Sequence, residues 1–346
     1  MSIELLDDME QIASDELIPW EKFNGSTVII TGATGTVGSA LVRALFAAKN
    51  KHSLSVRIIA FGRDIGKAKK LVENYGVEFF EHDICNPFNV DGKVDYIIHC
   101  AAVTSSTKMV SDPVNVIDTS IKGTSNILML AKNKNVKSMV YLSTMEIYGK
   151  TNPVCMYVTE DNLGYIDLKD PRSCYPESKR MCECMCNCWC AQFGVPVKTA
   201  RLSQTFGAGT MADDPRVFAQ FARSAIAGKN IVLHTDGNSR GNYCYISDTV
   251  RALLLLLFKG NNGEAYNISN SSATMTIREM ADLVAKKAFN GKIDVVTEKP
   301  PDIEKYGYAQ VTTIRLSTEK IEKLGWRPKY SLEEMYQRMI SDWCIN

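Results

Sequence analysis

Two short stretches carry residue types that can do chemistry together. In Tyr175-Pro176-Glu177-Ser178-Lys179 a phenol and an ammonium lie four residues apart, on one face of a helix begun at or near Pro176. In Thr31-Gly32-Ala33-Thr34-Gly35-Thr36-Val37-Gly38 three glycines stand between an apolar run and a helical stretch. Gly32 lets the chain turn tightly, Gly35 lets backbone approach a pyrophosphate, and Gly38 lets the helix lie against the strand. The helix N-terminus then offers N–H groups and partial positive charge to the phosphates. Thr34, Thr36 and Val37 belong to the same binding turn. A G-x-x-G-x-x-G spacing in this context points to a dinucleotide.

A free phenol titrates near ~10, so a phenolate useful near neutrality must be stabilised by about 4 kcal/mol. A lysine ammonium and an oxidised nicotinamide ring together supply stabilisation of that kind. Tyr175 then takes the proton of a substrate hydroxyl as hydride leaves the same carbon for the cofactor. The Tyr-x-x-x-Lys spacing alone equally fits a packed aromatic beside a solvated lysine, and it gains its meaning from the glycine turn.

The adenosine end is ambiguous. The second strand runs from Val56 to Ala60 into Phe61-Gly62-Arg63-Asp64. Asp64 can accept from ribose hydroxyls, which indicates NAD, and Arg63 can pair with a 2′-phosphate, which indicates NADP; each is also an ordinary loop charge. NAD is the first choice. Asp83-Ile84 follows the third strand, where a carboxylate can take the adenine amino group.

The elements that must position these residues alternate. Short apolar runs at Thr27–Ile30, Val56–Phe61, Val77–Phe80, Tyr96–Cys100, Met139–Ser143 and Val197–Leu202 read as buried strands. Helical stretches at Ser39–Ala48, Lys67–Tyr75 and Thr119–Lys132 separate them. That alternation predicts an α/β chain with a doubly wound parallel sheet, Rossmann-like. Ile3, Leu6, Met9, Ile12 and Leu17 predict an amphipathic helical extension over residues 1–24. The dinucleotide domain is expected over 25–205 and a smaller mixed α/β substrate region over 206–346, with about 235–258 returning to the first domain. Within the second region Pro215–Ala227 and Asp248–Phe258 read as helices and Asn230–His234 as extended.

The 346 residues exceed by about twofold the ~150 of one typical domain, and 45% hydrophobic residues are those of a chain with a proper core. A net charge of +1 supplies no field toward nucleic acid or anionic lipid, so neither is an expected partner. The apolar run Ala252–Phe258 is far short of the ~20 residues of a membrane helix. The acidic opening Glu4, Asp7, Asp8 and Glu10 is unlike a secretory signal, so the expected location is cytoplasmic, with the 11 cysteines reduced.

With these residues in order, the chain resembles the extended short-chain dehydrogenase/reductase superfamily, in particular its NAD-dependent nucleotide-sugar epimerase/dehydratase family. The resemblance runs over nearly the whole length from Thr27. It rests on the glycine turn, Asp83-Ile84, His99-Cys100-Ala101-Ala102, Leu142 to Gly149, Tyr175 to Lys179, Arg201 to Gly207, Tyr245-Ile246-Ser247-Asp248 and Leu324-Gly325-Trp326-Arg327-Pro328. It implies tightly held NAD, a nucleotide-sugar substrate, Thr144 bonding the reacting sugar oxygen, Tyr175 as base, and Lys179 on the nicotinamide ribose. Ala101 and Ala102 fall to the cofactor, and Ser105, Gln204, Arg240 and Arg315 to the substrate. Ser120 replaces the usual Asn, Phe61 an Asp, Gln204 an Asn, and Arg240 comes one residue early.

The family's reactions begin with oxidation of a sugar C4 hydroxyl and diverge afterwards. The dehydratases carry Asp-Glu after the Thr, whereas here Met145 cannot move a proton and Glu146 keeps half of the pair. Decarboxylases of uronic acids resemble this sequence in having Glu before the apolar-Tyr-Gly step. An epimerase needs no group beyond Tyr175 and Thr144. On that economy epimerisation stands first, decarboxylation second and 4,6-dehydration third. An NADPH-dependent carbonyl reductase and a non-catalytic dinucleotide-binding protein are the alternatives of another type.

Cys182, Cys184, Cys186, Cys188 and Cys190 alternate along the helix that begins at Tyr175. At ~100° per residue they face two ways and cannot converge on one metal ion, so none is expected. With Met181, Met185 and Trp189 the helix is apolar nearly all round, which predicts a homodimer through a helix bundle.

Overall fold

The computed structural model describes residues 1–151, 157–288, 292–299, 301 and 313–345. The strands are β1 (Ser26–Thr31), β2 (Val56–Gly62), β3 (Glu78–Glu81), β4 (Tyr96–His99), β5 (Ser138–Thr144), β6 (Val197–Leu202), β7 (Gln204–Phe206), β8 (Ile231–Leu233), β9 (Arg240–Tyr245), β10 (Ala265–Ile268), β11 (Asn270–Thr276) and β12 (Val295–Thr297). The helices are α1 (Ile3–Ala13), α2 (Thr36–Lys51), α3 (Ile65–Tyr75), α4 (Ser106–Ser111), α5 (Pro113–Asn133), α6 (Cys174–Phe193), α7 (Val217–Ile226), α8 (Ile246–Lys259), α9 (Ile277–Leu283), α10 (Glu319–Glu322) and α11 (Leu332–Ile345).

A seven-stranded sheet runs β10-β6-β5-β4-β1-β2-β3 with every pairing parallel. From β1 the chain winds one way to β2 and β3 and then the other way to β4, β5 and β6. The order therefore reverses between β1 and β4, where an open α/β sheet leaves a crevice at its carboxyl edge. Every residue of β1 and β5 is buried, as continuous apolar strands covered by helices on both faces should be. β3 departs from the expected buried strand: it is the sheet edge, and most of it is exposed, because among the described residues it pairs with β2 alone.

Beyond β6 the chain alternates between units. β7 and β9 pair in parallel and β9 and β11 antiparallel in a three-stranded sheet, and β8 and β12 form a two-stranded one. Between them α8 packs back on α2, β5 and β6, and β10 completes the edge of the large sheet beside β6.

The N-terminal extension packs α1 against α2, α8 and α11. Its buried face is Asp8, Met9, Ile12 and Ala13, whereas Ile3 and Leu6 face solvent. A polar contact sets that rotation. The Asp8 carboxylate accepts from Tyr245 Oη and Arg338 Nη2, each at 2.8 Å, so an acid holds the inward place expected of an apolar residue. Burial pushes the Asp8 carboxyl up to about 7.

The glycine turn closes the crevice at its base. A Cβ on Gly38 would lie 2.3 Å from the Gly32 carbonyl oxygen and 2.8 Å from Ala33 Cα, both backbone. Gly38→Ala should therefore cost about 1–3 kcal/mol of stability and the retained dinucleotide. Chemical denaturation and the nicotinamide content of the purified variant measure the two effects, and wild-type values for both would contradict this packing.

Candidate active site

The crevice is a cavity of about 340 Å3. At its base β1 and β4 are knitted together by Thr31, whose Oγ1 lies 2.6 Å from His99 Nδ1 and accepts the Ala101 N–H at 3.2 Å. Burial drives His99 down to about 3, so its imidazole is neutral and serves as a fixed hydrogen-bonding strut. Gly32 takes a positive φ of 63°, and a Cβ there would meet Ala101 Cα at 2.8 Å. The turn and the Cys100-Ala101-Ala102 segment thus touch backbone to backbone.

Gly35 is the N-cap of α2, and among the described residues no side chain bonds the first N–H groups of that helix. Those uncapped donors fit a pyrophosphate. Gly32, Thr34, Gly35, Thr36, Val37 and Gly38 all line the cleft, as do Arg63, Asp83, Ile84, Ala101 and Ala102. Asp64 does not; its carboxylate instead caps α3 by accepting the Lys67 N–H at 3.0 Å.

At the other end β5 delivers Thr144, and a 3-10 turn, Met145–Tyr148, carries Glu146. Thr144 Oγ1 accepts the Glu146 N–H at 3.2 Å and is in hydrogen-bond contact with the Tyr175 phenol. Tyr175 sits in the first turn of α6, 7% exposed, and Lys179 one turn on is 4% exposed. The Lys179 ammonium donates to the Leu142 carbonyl at 2.7 Å and stands 4.8 Å over the Tyr141 ring. Burial holds Lys179 below its ordinary value. Thr144, Tyr175, Lys179, Glu146 and Gln204 meet in the one cleft.

The charges that act on Tyr175 are different from those the sequence suggests. Burial pushes the phenol well up and the Glu146 carboxylate adds to the rise, while the Thr144 hydrogen bond, Arg172 and Arg216 oppose it. Arg172 lies in the 3-10 turn Pro171–Ser173 just before α6, and its Nη1 donates to Glu146 Oε2 at 2.7 Å. Both partners are largely shielded, which strengthens the pair. Arg216 precedes α7, pairs with Asp214 at 2.6 Å and lines the cleft together with Ser203, Gln204 and Thr205. Sequence reading missed Arg172 and Arg216. Arg172 stands three residues before Tyr175, but nothing in that spacing reveals that its guanidinium turns back to the end of β5.

Ser143 and Ser203 also belong to the cleft's lining, with hydroxyl oxygens that are buried beneath it and without a hydrogen-bond partner among the described residues. Three expected substrate residues lie elsewhere. Ser105 caps α4 through the Lys108 N–H at 3.4 Å, and Arg240 donates to the Thr274 carbonyl at 3.2 Å. Arg315 and Arg240 act together on Glu279, whose carboxyl is held low first by the Thr276 N–H and then by these cations. None of the three lines the cleft.

The profile of the NAD dependent epimerase/dehydratase family matches residues 28–269. The chain belongs to that family. It is 30% identical over 316 residues to UDP-glucuronic acid decarboxylase 5 of Arabidopsis thaliana, covering 91% of this chain and 88% of that one. To UDP-glucuronic acid decarboxylase 1 of Danio rerio it is 30% identical over 315 residues, 90% and 71% of the two chains. UDP-glucose 4-epimerase of Thermotoga maritima superposes with a TM-score of 0.78 at 22% identity, over 92% of this chain and 99% of that chain. UDP-glucuronic acid 4-epimerase of Bacillus cereus, solved with UDP-glucuronic acid and NAD, gives 0.75 at 21%, over 91% and 98%. These family members are enzymes, and so is this chain; the nicotinamide dinucleotide is the cofactor its glycine turn and uncapped helix fit.

The family resemblance implies Tyr175 as base; a base must be deprotonated to work, so on that expectation the rising limb of kcat/KM against pH follows its phenol. Glu146 raises that phenol and Arg172 lowers it. Glu146→Gln should therefore move the limb to lower pH and Arg172→Gln to higher pH, each by on the order of one pH unit. Shifts of the same sign in the two pH profiles would refute this account of the site.

Proposed function

We propose that this protein oxidises a nucleoside diphosphate hexuronate at C4 and decarboxylates it at C5. The observation that carries the reading is Glu146, a carboxylate facing the cleft beside Thr144 and Tyr175 and oriented by Arg172. Epimerisation has no use for such a group. The similarity to decarboxylases at 30% identity supports the same choice and reverses the order that chemical economy suggests.

The nicotinamide cofactor, when bound, accepts hydride from C4 and gives it back. Tyr175 removes the C4 hydroxyl proton while the Thr144 hydroxyl holds the same oxygen. The C4 ketone makes the C5 carboxylate a β-keto acid; when the C5–carboxyl bond breaks, its electron pair moves toward the C4 oxygen, where Thr144 and the now protonated Tyr175 donate. C5 then takes a proton from a water molecule that draws its replacement from solvent, and Glu146, oriented by Arg172, is placed to hold that water by accepting one of its hydrogens. Lys179 binds the nicotinamide ribose, and Gln204 and Arg216 offer hydrogen bonds and positive charge to the anionic parts of the substrate.

Epimerisation is the second reading, favoured by the ion pair itself, which engages Glu146 and leaves Tyr175 and Thr144 as the mobile acid–base groups. Incubation with UDP-glucuronate, followed by mass spectrometry and NMR, separates them: a product lighter by one carbon dioxide supports decarboxylation, and an isomer of unchanged mass supports epimerisation. Tyr175→Phe should lower either rate by about 100-fold or more.

The protein acts in the cytoplasm as a homodimer. Cys85, Cys100, Cys174, Cys182, Cys184, Cys186, Cys188, Cys190, Cys244 and Cys344 are free thiols, which suits a reducing compartment. In α6 Cys182 and Cys186 are buried against the core, while Cys184 and Cys188 face outward beside Met181. The packed pair of α5 and α6 exposes Val114 at 70%, Met181 at 54% and Met129 at 46%, an apolar surface that a second copy would cover. Val114→Asp with Met181→Asp should leave a folded monomer in analytical ultracentrifugation, and an unchanged dimer would exclude this surface.

A further inference from the structure

The adenosine end of the cleft departs from what an unphosphorylated ribose needs. A ribose with free hydroxyls is usually held by a carboxylate at the end of the second strand. Here that strand ends in Phe61-Gly62, and the carboxylates nearby are committed to the start of α3. Asp64 Oδ1 accepts the Lys67 N–H at 3.0 Å, and Glu81 Oε1 accepts the Ile65 N–H at 3.3 Å. Neither side chain lines the cleft. Phe61 is buried in an aromatic group, 5.3 Å from Phe80 and 4.8 Å from Phe88 between ring centroids, and offers no acceptor.

Arg63 has the opposite character. It lines the cleft, is exposed, and has no side-chain hydrogen bond or ion pair among the described residues, its charge acting on the nearby Asp83 carboxyl. It follows Gly62, where an added Cβ would lie 3.4 Å from Thr34 Cγ2 of the pyrophosphate turn. Its guanidinium is thus carried on backbone that touches the phosphate-binding loop, next to the place of the adenosine ribose. Asp83, which also lines the cleft, accepts the Cys85 N–H on Oδ1 at 2.9 Å and is held low first by that bond, with Arg63 and His82 adding.

We propose that this subsite takes a 2′-phosphate, so that the protein binds NADP at least as tightly as NAD. Arg63 supplies a charge-assisted, two-pronged contact to the phosphate, a geometry for which a guanidinium is suited. No carboxylate at the end of the second strand lines the cleft, so the acceptor that would favour the bare 2′-hydroxyl and reject a phosphate at that position is missing. The inference rests on the dinucleotide cleft and is independent of which sugar reaction follows.

The test is equilibrium binding, which requires no turnover. Isothermal titration of the intact protein with NADP+ and with NAD+ should give an NADP+ Kd no weaker than that for NAD+. Arg63→Ala should weaken NADP+ by about tenfold or more while leaving NAD+ within about threefold, and Arg63→Lys should recover part of the loss. The adenosine 2′,5′-bisphosphate fragment should bind more tightly than AMP to the wild type and lose that advantage in Arg63→Ala. Tighter wild-type binding of NAD+ than of NADP+, or an Arg63→Ala effect that is equal for both cofactors or absent, overturns the proposal. Because Arg63 is exposed at a loop, the variants fold, and thermal melts confirm it.

Discussion

The structure depends on a place where backbone meets backbone without room for a side-chain carbon. Gly38 rides against the Gly32 carbonyl, and Gly32 faces Ala101 across the switch between β1 and β4. This contact lets α2 point its uncapped N–H groups into the crevice rather than over it. It also brings the turn and the Cys100-Ala101-Ala102 segment close enough to form the two walls of one slot. The Thr31–His99 bond fixes the same junction from below, with a neutral imidazole that burial prevents from charging.

The reacting end is held by a different kind of interaction. Arg201 on β6 pairs with Glu183 of α6 at 2.7 Å and donates to Tyr148 Oη at 3.0 Å, while Tyr148 donates to Asn267 of β10 at 2.6 Å. These buried polar groups link the helix of Tyr175 and Lys179, the turn after Thr144 and two strands of the sheet. A buried ion pair adds little net stability over an apolar replacement, but losing one partner is costly, so the network favours a single arrangement. The hydroxyl of Thr144 and the phenol of Tyr175 consequently meet although they come from distant parts of the chain.

Two arginines then give the site its electrical balance. Burial and Glu146 both disfavour a phenolate at Tyr175, and Arg172 and Arg216 work against them from two loops. Lys179 donates to the Leu142 carbonyl, and on the proposed reading it holds the nicotinamide ribose. On that same reading the chemistry at C4 draws on a set of charges wider than the Tyr/Lys pair.

Much of this was legible in the sequence, since the features concerned are local. The glycine spacing, the alternation of buried strands with helices, and the four-residue Tyr–Lys separation each follow from backbone geometry over a few residues. They define a parallel sheet, a phosphate turn and a helix face without reference to distant parts of the chain. What only the tertiary structure decided are the contacts between segments far apart in sequence. Examples are Arg172 turning back to Glu146, Asp8 taking the inward face of α1 because Arg338 and Tyr245 wait there, and Arg240 and Arg315 meeting at Glu279 rather than in the cleft. Even Asp64 and Arg63, adjacent in the chain, are separated by packing: α3 claims one as its cap and leaves the other at the cofactor slot. A charged side chain is long and polar enough to serve several partners, and only the folded surroundings select among them.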